Sequence, residues 1–135
     1  MHLDPTAFEA DTELITVLEK KATRVDCASE RVLFAQGDSP VGLYIVRNGA
    51  ARLTMESPEG QPIVSVEAPE RSLLGLPGVL GNQPYTLTAT AEAGAVVAFI
   101  PRDEFIALMQ SEPLMALKIL GVLAAEVRSA RRAIA

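Results

Sequence analysis

In Arg31–Leu53, RVLFAQGDSPVGLYIVRNGAARL, apolar alternation and turn signals recur at strand-length intervals. Val32 and Phe34 fall on one face of a first strand, and a turn at Gln36-Gly37-Asp38-Ser39-Pro40 follows. Leu43 and Ile45, then Leu53 and Met55, continue the apolar face, while Asn48-Gly49 supplies the positive-φ residues of a tight hairpin. Two hairpin signals this close predict an antiparallel β domain. Its expected core is Val32, Phe34, Leu43, Ile45, Leu53, Val64, Val66, Val97 and Phe99.

Working outward, Phe8, Leu14, Ile15 and Leu18 fit a short amphipathic helix, with Asp11 or Thr12 as its cap and Glu13 in its first turn. Pro58-Glu59-Gly60 separates two further strand patterns, Leu53-Thr54-Met55 and Ile63-Val64-Ser65-Val66. Val96, Val97, Phe99 and Ile100 form a last strand. Pro101-Arg102-Asp103-Glu104 then starts a helix that buries Phe105, Ile106, Leu108 and Met109. The spacing predicts a sandwich or jelly roll between an N-terminal helix and a C-terminal helix pair. The β core is placed at about residues 22–100 and the helices at about 101–111 and 113–134.

The final helix carries a countable stripe. Ala116, Leu120, Leu123, Val127, Ala130 and Ile134 recur at spacings of four, three, four, three and four, the seam of a short coiled coil. Leu114, Leu117, Ile119 and Val122 are apolar as well, which gives the helix a face for the β domain and another for a partner. A homodimer through Leu120, Leu123, Val127 and Ala130 is expected. Arg128, Arg131 and Arg132 sit where cations complement the carbonyl end of a helix.

Composition narrows the function. The 135 residues suit one domain over 1–135, and a net charge of −5 argues against direct nucleic-acid contact, which needs clustered Lys and Arg. Cys27 is the single cysteine, so no intrachain disulfide framework or cysteine-ligated cluster forms, and a buried structural thiol is expected. His2 is the single histidine, which leaves no metal site and no base for a nucleophile. Neither a catalytic residue nor a resident cofactor is expected. No signal peptide or membrane-spanning run is apparent, so a cytoplasmic chain without membrane contact is the default expectation.

The opening stretch, with its GD, LYIV and NGAARL segments, resembles the start of a cyclic-nucleotide-binding domain, the regulatory module of catabolite-activator-like (Crp/Fnr) transcription factors and of cyclic-nucleotide-dependent kinases. The resemblance runs from about Asp11 to the C-terminus. It implies a mainly β fold with flanking helices, an antiparallel double-stranded β-helix or jelly roll, and makes the last helix a dimer helix. Leu74–Ala91, LGLPGVLGNQPYTLTATA, then aligns without gaps with the phosphate-binding cassette. In the family a Gly and an acidic residue open a short helical turn, and Pro-Arg-Ser/Thr/Ala leads into a strand. Helix amides and the guanidinium face the cyclic phosphate, and the carboxylate accepts from the ribose 2′-hydroxyl.

Here Gly75 and Pro84 match, but Leu76 stands at the acidic position and Tyr85 at the arginine position, followed by Thr86. Losing one member of a charge-paired contact costs about 2–5 kcal/mol. Candidate ligand-contact positions are therefore Gly75, Leu76, Pro77, Gly78, Tyr85 and Thr86, with Arg52 and Arg71 as possible substitute cations. The expectation is a regulatory or sensor domain with a degenerate cassette. It takes a small-molecule effector other than an ordinary cyclic nucleotide, or that nucleotide weakly; the alternative is a ligand-free dimerisation scaffold. Transcription factors of this resemblance continue into a helix-turn-helix, whereas these residues end at Arg131-Arg132-Ala133-Ile134-Ala135. A stand-alone module acting through a separate output protein is expected.

Overall fold

A computed structural model describes residues 1–134. A short 3-10 turn, Pro5–Phe8, precedes helix α1, Thr12–Glu19. Eight strands follow: β1 Thr23–Asp26, β2 Arg31–Phe34, β3 Gly42–Asn48, β4 Ala51–Glu56, β5 Pro62–Ala68, β6 Leu73–Leu74, β7 Thr88–Ala91 and β8 Val96–Pro101. Helix α2, Leu76–Gly81, lies between β6 and β7, and α3, Arg102–Ser111, and α4, Pro113–Ile134, close the chain. The strands form two four-stranded antiparallel sheets, ordered β1-β8-β3-β6 and β2-β7-β4-β5. This is the expected jelly roll with an N-terminal helix and a C-terminal helix pair.

Neither turn signal within Arg31–Leu53 closes a hairpin. β3 has both hydrogen-bonding edges occupied, by β8 and β6, so the chain leaving Asn48-Gly49 crosses to the second sheet, where β4 pairs with β5 and β7. Gly49 keeps its predicted left-handed backbone, φ 77°, at a corner between sheets. The turn after β2 crosses in the same way. The true hairpin joins β4 to β5 through Ser57–Gln61, closed by Ser57 N–H to the Gln61 carbonyl at 2.8 Å.

Of the expected core, Phe34, Leu43, Ile45, Leu53, Val64, Val66 and Val97 are buried, whereas Val32 is 59% exposed and Phe99 only half-buried. A bulge explains Val32. It pairs with Thr90 while Phe34 pairs with the adjacent Ala89, so the extra β2 residue breaks the alternation that put both side chains on one face. Phe99 tilts against Tyr44 at 4.8 Å between ring centroids. Cys27 is buried just past β1, beside Ala91, Ala95 and Val97.

Asp11 caps α1, its carboxylate accepting from Leu14 N–H at 2.8 Å, and also pairs with Lys118 of α4. That partnership with Lys118, ahead of the capping bond, holds the Asp11 carboxyl below its ordinary value. α3 buries Phe105 and keeps Ile106, Leu108 and Met109 half-buried. α4 turns Met115, Ile119, Val122 and Ser129 inward. Of the four surplus apolar residues of α4, Ile119 and Val122 face the β domain, whereas Leu114 and Leu117 lie outside it at 73% and 67% exposure. The inward face is already complete without them, and the outward apolar face is correspondingly wider. No single helix among the described residues is long and apolar enough to cross a membrane.

Candidate functional site

The cassette begins where β6 ends. Gly75 takes φ 91°, a left-handed backbone that turns the chain from β6 into α2, and a Cβ there would lie 2.7 Å from the Tyr85 ring. α2 has six residues, and Pro77 in its first turn removes one of the amide donors a helix start would offer. Asn82, at φ 52°, ends α2, and the loop folds back with Gln83 N–H donating to the Gly78 carbonyl at 3.1 Å. The loop is then tied to the β2–β3 turn twice, from Tyr85 N–H to the Asp38 carbonyl at 2.9 Å and from Gly37 N–H to the Tyr85 carbonyl at 2.8 Å.

Tyr85 fills the space between these elements. It is buried, its ring stacks on Phe34 with centroids 3.8 Å apart and planes 18° from parallel, and its hydroxyl bonds both backbone groups of Gly42. Burial pushes the phenol above its ordinary pKa, opposed by the Gly42 N–H that its oxygen accepts from. The cavity left beside the two rings is about 40 Å³. That is room for a water molecule or so, against the roughly 300–1,000 Å³ of a typical ligand pocket.

Gly75, Pro77, Gly78, Tyr85 and Thr86 all line this cavity. Leu76 does not: it is fully buried in the core and is absent from the cavity wall. The two substitute cations are not brought to it either. Arg52 reaches from β4 toward Glu30 beside β2, 3.5 Å away, and Arg71 occupies a positive-φ turn in a separate surface cleft with Glu9 and Glu67. Among the described lining residues there is no Lys or Arg.

Two further contributors come from the C-terminal helices. Arg102, at the start of α3, donates from Nε to the Val79 carbonyl at 2.7 Å, which fastens α2 to the helix pair. Glu126 of α4 lines the cavity and carries its only carboxyl among the described lining residues. Burial pushes its carboxyl up to about 8, with no hydrogen bond or neighbouring charge contributing. Both escaped the sequence reading. The signal for Glu126 lay in its spacing, since Ile119, Val122, Glu126 and Ser129 recur at three, four and three and share the inward face.

Next to the cavity, sharing Phe8, Pro77, Thr86, Leu87 and Glu126 with it, runs an apolar groove of about 220 Å³ between α4 and the β4–β5 hairpin. Leu123, Val127 and Ala130 form its helical wall. Along α4 from the groove wall outward, Leu120, Val127 and Ile134 are 55%, 45% and 69% exposed. No cluster of His, Cys, Asp and Glu suited to a metal ion occurs among the described residues.

Comparison with known proteins agrees with the architecture. Solved structures with the same fold include the Thermus thermophilus catabolite activator protein, with TM-score 0.80, 23% identity and coverage of 97% of this chain and 62% of that one. Another is the sensor domain of the transcriptional regulator DNR from Pseudomonas aeruginosa, with TM-score 0.68, 20% identity and coverage of 90% and 81%. Among curated sequences, a Neurospora crassa lysophospholipase is 31% identical over 105 residues, 78% of this chain but 7% of that protein. The chain thus spans a small fraction of the curated relatives it matches. The family model described as the cyclic nucleotide-binding domain matches residues 24–112. The chain belongs to the cyclic nucleotide-binding domain family.

Proposed function

We propose that this domain is an effector-binding regulatory module whose cassette no longer holds an ordinary cyclic nucleotide tightly, and that it works as a homodimer through α4. The observation that carries the reading is the state of Tyr85. At the family's arginine position the chain has a phenol stacked on Phe34 and bonded to Gly42, and no described cation lines the cavity to neutralise a phosphate. An anion placed there would be desolvated without a counter-charge. Leu76 likewise offers a ribose hydroxyl no acceptor.

The apolar groove beside the cavity favours an effector other than a nucleotide over a ligand-free scaffold. The exposed stripe of Leu117, Leu120, Val127 and Ile134 supports the dimer, since an apolar face of that length on a soluble helix is otherwise left in water. Output then passes to another polypeptide or segment through α3 and α4, and Arg102 is the residue that joins them to the cassette. Binding shifts such an equilibrium only by its differential affinity for the two states.

A thermal-shift panel of cyclic AMP, cyclic GMP, cyclic dinucleotides and uncharged and cationic small molecules tests the reading. A ligand at a hundred times its dissociation constant adds about 2.7 kcal/mol. Stabilisation by a non-nucleotide and none by submillimolar cyclic nucleotides is expected. Strong stabilisation by a cyclic nucleotide would reject the altered-cassette reading, and a flat response throughout would favour the scaffold.

A further inference from the structure

Polar capacity in the cavity and groove is small and one-sided. The Tyr85 hydroxyl is consumed by Gly42, and the side-chain polar groups left on the walls are the Thr86 hydroxyl and the Glu126 carboxyl. Phe8, Met55, Val64, Leu87 and Leu123 enclose the groove on either side of that carboxyl. Glu126 stands where the small cavity meets the larger groove, and nothing among the described residues bonds or neutralises it. A carboxyl held against apolar walls is costly while it lacks a partner, and the ligand that relieves it most is one bringing a cation. A carboxylate or phosphate ligand would be desolvated there with no Lys or Arg among the described lining residues to meet it.

We propose that the effector is an amphiphilic amine, a small molecule with one protonated amino group against Glu126 and an apolar body along the groove between α4 and the β4–β5 hairpin. The inference rests on the reading of this pocket as an effector site and adds the ligand's chemical class. Glu126 is then the specificity-determining residue. The groove selects for an apolar body, because its walls supply area and almost no hydrogen bonds. Val127 belongs to both the groove and the exposed stripe, so an occupant there would touch the seam through which the dimer is proposed to form.

Octylamine, octanol and octanoate share one chain and differ in the head, which makes them suitable probes. Calorimetric titration of the whole domain, below the aggregation threshold of each probe, is expected to give the order amine, then alcohol, then carboxylate. Glu126→Gln, which keeps the side chain's shape, is expected to weaken octylamine at least tenfold and to leave octanol within about twofold, as loss of a charge-paired contact requires. Methyl shifts at Met55 and Leu123 on adding octylamine would place the chain in the groove. Equal binding of octanoate, an unchanged octylamine affinity in Glu126→Gln, or methyl shifts elsewhere would overturn the inference. Should none of the three octyl probes bind while another neutral molecule stabilises the protein, the amine assignment falls and the effector-binding module stands. Tight cyclic AMP binding would remove the module's altered-cassette reading itself.

Discussion

The Tyr85 hydroxyl closes on both backbone polar groups of Gly42, donating to the carbonyl at 2.6 Å and accepting from the N–H at 3.1 Å. Gly42 is the first residue of β3, paired with Pro101, and a Cβ on it would lie 2.5 Å from the Ile100 carbonyl oxygen. One side chain thereby joins the cassette to the point where the sheet hands over to α3. Tyr85→Phe keeps the stack on Phe34 and leaves the Gly42 groups short of a partner, at a cost of about 1–3 kcal/mol. Urea unfolding is expected to show a lower midpoint at unchanged m-value. An unchanged midpoint would show that the bonds to Gly42 contribute nothing.

Gly75 and Gly81 open and close α2 under different constraints. At φ 91° and 2.7 Å from the Tyr85 ring, a Cβ at Gly75 is both strained and obstructed. Gly75→Ala is expected to destabilise by about 1–3 kcal/mol or more and to disturb the near-ultraviolet tyrosine signal. Gly81 has only the end of the Gln83 side chain near it, at 3.8 Å. Gly81→Ala is expected to be neutral or to stabilise by about 0.4–1 kcal/mol. Equal effects at the two positions would contradict the geometry.

Glu126 gives stability a pH dependence with a defined direction. Its carboxyl titrates at about 8 in the folded protein against an ordinary value of 4.5, so between these the folded chain holds a proton that the unfolded chain has released. The favourable contribution is complete below 4.5 and is lost progressively as pH rises toward 8, with a slope of up to about 1.4 kcal/mol per unit. Asp4 and Asp11 are shifted downward, mainly by their bonds to Thr6 and Lys118, and act in the opposite sense in a more acidic window. Urea titrations at pH 5 to 8 are expected to show stability falling in the natural protein relative to Glu126→Gln. A difference that stays level across that range would place the carboxyl in water.

The dimer proposal has a direct test in mass. Leu120 and Val127 are exposed on α4, so Leu120→Glu with Val127→Glu leaves the domain's own core untouched. Light scattering at micromolar concentration is expected to give a dimer for the natural chain and a folded monomer for the double variant. A monomeric natural chain would contradict the proposal.

Strand positions were legible because Leu43 and Ile45, or Val64 and Val66, alternate over a half-buried surface, and burial follows that period. The pairing was not. Asn48-Gly49 carries the local chemistry of a tight turn, but whether β3 and β4 become neighbours depends on which edges β6 and β8 already occupy, and no local signal encodes that. Val32 was misplaced for a related reason, since a bulge costs one residue of register without a distinctive residue to mark it. The cassette was locatable from Gly75 and Pro84, and Tyr85 was singled out, yet its closure over Gly42 and Phe34 needed three dimensions. Glu126 was missed because a glutamate on a helix ordinarily reads as solvated.

Titration calorimetry of cyclic AMP into the natural protein measures directly whether the arginine and carboxylate positions of the cassette have been given over to packing. A dissociation constant no tighter than high micromolar is expected, because replacing a charge-paired arginine forfeits about 2–5 kcal/mol. Tyr85 must also leave its place between Phe34 and Gly42 before a nucleotide can enter. Binding at low micromolar concentration or tighter, with one nucleotide per chain, would contradict that expectation.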